Sequence, residues 1–111
     1  MDIKSILEST DLPVTLIMWH PLKPPDLPYI VYLPDDSNNF GADNIVYHSA
    51  KNYSVELYLS REQIATKQTY MSLVESALTT NDIYFESTET WIQSESMYQV
   101  VYSVQLKEEI A

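Results

Sequence analysis

Cysteine is absent from all 111 residues. That excludes a disulfide framework, a thiolate metal site and a cysteine nucleophile. Glycine occurs once, at Gly41. Phosphate cradles and dinucleotide sites need several glycines so that the backbone can approach the ligand, so neither is expected. The two histidines, His20 and His48, stand far apart in no HxxxH or HxxE arrangement, whereas a metal centre declares itself by a spaced cluster. There is no nucleophile-elbow pattern and no oxyanion-type glycine loop. Bases are also scarce. Six Lys and Arg face 16 Asp and Glu, a net charge of -10, which repels nucleic acid and anionic membranes alike. No apolar run reaches the length of a membrane span. The opening MDIKSILEST lacks the basic segment and apolar run of a signal peptide. The expectation is a soluble protein that is not an enzyme and uses no cofactor, no metal and no membrane.

What is present divides the chain into three stretches within one expected domain, residues 1–111. A chain of this length buries roughly 65% of its unfolded surface, enough for one core. All six prolines lie between Pro13 and Pro34. Before them, Ile3, Ile6 and Leu7 share a helical face, and Pro13 sets a stop beyond it. VTLIMW, residues 14–19, is a β-branched run that predicts a buried strand. HPLKPPDLP, residues 20–28, holds Pro24, Pro25 and Pro28 and predicts a stiff, extended connection. YIVYL, residues 29–33, predicts a second strand, and Pro34 at its end favours an edge position.

DDSNNFGAD, residues 35–43, is dense in turn formers and predicts an exposed loop; the pair Asp35-Asp36 lacks the spacing of a calcium loop and is expected to be a solvated turn. Tyr53, Val55, Leu57 and Leu59 then alternate with Ser54, Glu56, Tyr58 and Ser60, the period of a half-buried strand. Ser60-Arg61-Glu62-Gln63 fits a capping box. Ile64, Met71, Val74, Ala77 and Leu78 follow at helical spacing, predicting a helix over about 61–79 closed by Asn81-Asp82. Residues 83–106 return to strand composition, with a hairpin turn expected at Ser94-Glu95-Ser96. The order αβββαββ predicts an α+β domain, a mainly antiparallel sheet with two helices on one face. Leu57, Val74, Val100 and Tyr102 are its expected core.

Nine tyrosines are the strongest compositional signal. Tyr29, Tyr32, Tyr47, Tyr53, Tyr58, Tyr84, Tyr98 and Tyr102 fall in expected strands and Tyr70 on the helix. Strand propensity explains any one of them. A protein–protein interface explains the set, since tyrosine supplies large area and a polar tip at small entropic cost. Tyr58 supports the interface: it points opposite to Tyr53, Val55, Leu57 and Leu59, so both faces of one strand carry a large ring.

The blocks "LPYIVY", "SNNFGADN", "VYHSAKNYSVELY" and "WIQSESMYQVVYSVQL" together resemble, over about residues 1–108, a group of small phage proteins. These are the tail terminator proteins, also called tail completion or head–tail joining proteins, of long non-contractile-tailed phages and prophages of Gram-positive bacteria. The resemblance implies a hexameric ring that caps the tail tube, contacts the tail-tube protein and the head connector, and lets DNA pass through its lumen without specific binding. It also implies a place in the virion at the tail–head junction, after assembly in the host cytoplasm. The family has no catalytic residues to transfer. An acidic wall would let the genome slide, and tyrosine-rich strand faces suit heterologous ring contacts. Within that frame loop 35–49 is expected to be an assembly loop. Gly41 permits a tight bend, Asn38 and Asn39 offer hydrogen bonds, and Phe40 is an aromatic anchor. With His48 and Tyr58 these residues form the expected assembly interface. An acidic DNA mimic inhibiting a nucleic-acid-binding protein is the alternative; it calls for carboxylates gathered on one face, whereas here they are spread along every element. Another neck, connector or tail-tube component also fits, and a small hydrolase fits least.

Overall fold

The structure, a computed structural model, describes residues 2–17, 24–35 and 50–107. Helix α1 spans Ile3–Glu8. The Asp2 carboxylate caps it by accepting from the Lys4 backbone N–H at 3.1 Å and the Ser5 hydroxyl at 3.0 Å, satisfying donors that a helix start leaves free. Strands β1 (Val14–Leu16), β2 (Tyr29–Pro34) and β3 (Ala50–Ser60) follow. A 3-10 helix covers Arg61–Thr66 and runs into α2, Lys67–Thr80. Strands β4 (Phe85–Ile92) and β5 (Met97–Lys107) complete the chain.

The five strands form one sheet in the order β1-β2-β3-β5-β4. Among the described residues only β1 and β2 pair in parallel; the other three pairings are antiparallel. The α+β class, the element order and the hairpin turn, which occupies Gln93–Ser96, are as the sequence predicts. Period-two alternation sorts the side chains between two faces. One face presents Ile30 and Tyr32 from β2, Val55, Leu57 and Leu59 from β3, and Val100, Tyr102, Val104 and Leu106 from β5. All nine are buried in one core cluster with Ile3, Ile6 and Leu7 of α1 and Met71, Val74, Ala77 and Leu78 of α2. Both described α-helices therefore cover the same face. The four expected core residues, Leu57, Val74, Val100 and Tyr102, are each 0% exposed.

Four local expectations change. The first strand is shorter and less buried than predicted: it ends at Leu16, and Leu16 and Ile17 are 48% and 54% exposed. Ile17 takes φ 71°, outside the extended region, which stops the ladder there. Second, β2 is not an edge strand. Its ladder with β1 involves only Ile30, Val31 and Tyr32, so Pro34 lies past the stretch that needs donors on that side. Third, the expected helix starts as a 3-10 segment. The capping box is formed, with Ser60 N–H donating to Gln63 Oε1 at 2.8 Å and Gln63 N–H to Ser60 Oγ at 3.3 Å. Gln63 Nε2 also donates to the Leu27 carbonyl at 2.9 Å, tying this first turn to the proline-rich connection. Fourth, Tyr84 precedes β4 and is 73% exposed. The helix ends as expected, with Asn81 Nδ2 donating to the Ala77 carbonyl at 2.8 Å and Asp82 at φ 57°. The end of the predicted first strand, residues 18–19, lies outside the described residues.

Candidate functional site

The second face of the sheet carries no helix among the described residues. Its side chains are the alternate set: Tyr29, Val31 and Leu33 from β2, Ser54, Glu56 and Tyr58 from β3, and Met97, Gln99 and Val101 from β5. Strand register places them in rows. Tyr29, Tyr58, Gln99 and Thr90 form one row, and Val31, Glu56, Val101 and Thr88 the next. Val31 is buried yet stands apart from the helix-side core cluster. Tyr29, Glu56, Tyr58, Gln99 and Val101 are half-buried. A fully solvated antiparallel face ordinarily reads as polar positions throughout, and this one does not.

At its centre is a small polar network on the middle strand. The Tyr58 hydroxyl donates to Glu56 Oε1 at 2.7 Å and accepts from Gln99 Nε2 at 2.9 Å. The Ser54 hydroxyl approaches Glu56 Oε2 at 3.5 Å. The Tyr29 and Tyr58 rings pack with centroids 5.5 Å apart, within the range of a favourable aromatic pair. Burial, and then the hydrogen bond to Glu56, pushes the Tyr58 phenol up to about 12. Burial, then the charge of Glu95, raises Tyr29 as well. Both phenols are therefore neutral donors at any physiological pH. The described partners of Glu56 are both neutral hydroxyls, and no Lys, Arg or His among the described residues meets it.

No protein-family pattern, no curated protein and no solved structure matches this chain.

Of the residues expected at an assembly interface, Tyr58 lies at the centre of this network. Asn38, Asn39, Phe40, Gly41 and His48 lie outside the described residues, as does His20. Sequence alternation put Glu56 on the face of Tyr58 without singling it out, and missed Gln99, Val31 and Tyr29 as neighbours. The signal was available for Glu56, two residues before Tyr58 and so on its face. The others come together only through strand register.

Two further features flank the sheet. On the helix side, Lys67 Nζ contacts Glu89 Oε1 at 2.6 Å, and the Tyr98 hydroxyl donates to the same oxygen at 2.5 Å. Those two hydrogen bonds, Lys67 first, hold the Glu89 carboxyl below its ordinary range. At the end of the sheet near the β4–β5 turn, Arg61, Ile64, Trp91, Gln93 and Ser96 line an open groove of about 400 Å³. Trp91 Nε1 donates to Gln93 Oε1 at 2.7 Å, which leaves the indole, 36% exposed, as one wall. Arg61 is exposed and has no carboxylate partner among the described residues.

Proposed function

We propose that this chain is a non-catalytic structural subunit that closes as a ring on the end of a phage tail tube and joins tail to head, with DNA passing through its lumen. The observation that carries the proposal is the sheet face that bears no described helix, where half-buried Tyr29, Tyr58 and Val101 and buried Val31 surround Glu56. A face of that composition suits contact with protein, because aromatic rings with polar tips supply most of the area at specific interfaces. The net charge of -10 fits a wall past which phosphate slides, and the sequence blocks that resemble tail terminators supply the setting. No helix among the described residues is long and apolar enough to cross a membrane. In this reading the ring contacts the tail-tube protein on one side and head connector proteins on the other, and the protein resides at the tail–head junction of the virion.

The test is deletion of the gene in a phage or prophage that carries it. Heads and tails that fail to join, with tails of abnormal length, are expected. Normal infectious virions would refute the proposal.

A further inference from the structure

We infer that copies of this chain associate head-to-tail, the Glu56-centred sheet face of one copy receiving the Arg61–Trp91 groove of the next. The inference takes from the reading above only that copies assemble; it does not depend on where they do so.

The two surfaces are complementary in charge and chemistry. Glu56 sits on the middle strand, flanked in its row by Val31 and Val101, and its described partners are the neutral hydroxyls of Tyr58 and Ser54. A carboxylate offers about four acceptor positions, so these hydroxyls leave room for a guanidinium. Among the residues whose side chains are described, the charged groups on that face, Glu56 and Glu86, are both acids. The cations described are few: Lys4, Arg61 and Lys67. Lys67 is engaged by Glu89. Lys4 stands on short α1, whereas Arg61 stands beside Ile64 and an exposed tryptophan in a concave surface. Arg61 therefore offers a charge inside an apolar frame, and Glu56 offers the opposite charge inside another.

The same chain cannot join them. Five residues separate Glu56 from Arg61, roughly 17 Å of extended strand. Trp91, in register with Tyr98, belongs to the helix-covered face, while Glu56 points the other way. A contact between the two patches is then intermolecular, and because it uses two different patches it is heterologous. Such contacts close into rings when the rotation permits and run on as filaments when it does not. A guanidinium on a carboxylate, shielded by rings and valines, is also the charged contact best able to work against repulsion between subunits of charge -10 each.

The absence of native cysteine makes the test clean. Ser54→Cys marks the sheet face and Ser96→Cys marks the groove. A short bifunctional maleimide applied to concentrated full-length protein should give a ladder of dimers, trimers and larger species from the double variant. A mixture of the two single variants should give dimers joined 54 to 96 and nothing larger. Adding Glu56→Arg or Arg61→Glu alone to the double-cysteine protein should abolish the ladder, and adding both should restore it. Circular dichroism confirms that each variant is folded. Dimers joined 54 to 54 would show that the face packs on itself and would overturn the inference, as would folded protein without cross-links, or a ladder indifferent to charge reversal. None of these results bears on the gene-deletion phenotype, so the contact and the virion role fail separately.

Discussion

Replacing Leu57 by alanine tests whether the helix-covered face of the sheet is the structural core. Leu57 is 0% exposed on β3, the middle strand, and its partners in register, Ile30 and Val100, are also 0% exposed. Val74 and Leu78 of α2, in the same cluster, are 0% exposed too. Strands on both sides and a helix layer above leave little room for collapse into the space vacated. The loss should therefore fall in the upper half of the usual range for such truncations, about 3–5 kcal/mol. Domains of this size are stable by about 5–15 kcal/mol, so the change is large but survivable. Urea unfolding should show a lower midpoint with an unchanged slope, because the surface exposed on unfolding hardly alters. Thermal unfolding should shift down by roughly 10–20 °C, at about 4 °C per kcal/mol for a chain this long. A loss below about 1 kcal/mol would refute the assignment of faces, since only a side chain pointing away from the helices could be removed so cheaply.

Tyr102→Phe removes the hydroxyl that donates to Glu75 Oε2 at 2.9 Å and should cost about 1–2 kcal/mol in urea unfolding, as befits a partly buried bond to a charged acceptor; an unchanged midpoint would show that the bond contributes nothing. The Glu89 carboxyl, followed by carbon NMR, should titrate below the ordinary carboxylate value of roughly 4.3 and move up in Lys67→Met. Because its folded value is depressed, its contribution to stability is whole above the unfolded value and is lost as pH falls through the folded one; identical titration curves for the two proteins would exclude the ion pair in solution. In an alkaline absorbance titration Tyr58→Phe should delete a phenol that ionises at about 12. A raised folded value means that the stability carried by the neutral phenol is complete below the unfolded value of roughly 10 and is lost as pH rises through about 12. Deletion of a phenol ionising near 10 instead would contradict the placement of Tyr58 in the Glu56 network.

Where periodicity was long, the sequence disclosed the fold. β3 alternates over residues 53–60 and β5 over residues 98–106, and their parity alone separates Leu57 and Val100 from Tyr58 and Gln99. The stripe Met71, Val74, Ala77 and Leu78 likewise located the buried side of α2. Short or conflicting signals misled. VTLIMW has strand composition throughout, yet of its described residues, 14–17, only Val14–Leu16 pair, because backbone geometry at Ile17 overrides propensity. Pro34 suggested an edge, but one missing donor at the last residue of β2 does not prevent β1 from pairing three residues earlier. The candidate interface was half legible. Tyr58 and its orientation follow from local alternation, whereas the row joining Val31, Glu56 and Val101 depends on which strands lie side by side, and no local pattern encodes that. The groove of Arg61 and Trp91 joins residues thirty positions apart and has the same origin.

Strand β3 has a consequence for how this gene can vary. Its odd positions from Val55 to Leu59 belong to the core, with Tyr53 packed against it, and its even positions, from Ser54 to Tyr58, belong to the face that bears no described helix. Mutations at odd positions are screened by whether the chain folds at all, inside every cell and against no outside standard. Mutations at even positions leave the core packing untouched and act instead on the polar network of Glu56 and Tyr58. Two kinds of constraint are thus interleaved residue by residue along a single strand. Loss or gain of one codon there would exchange them, presenting Leu57 to the outside and Glu56 to the core. Loss or gain of a residue within β3 should therefore be far more damaging than a substitution at an even position.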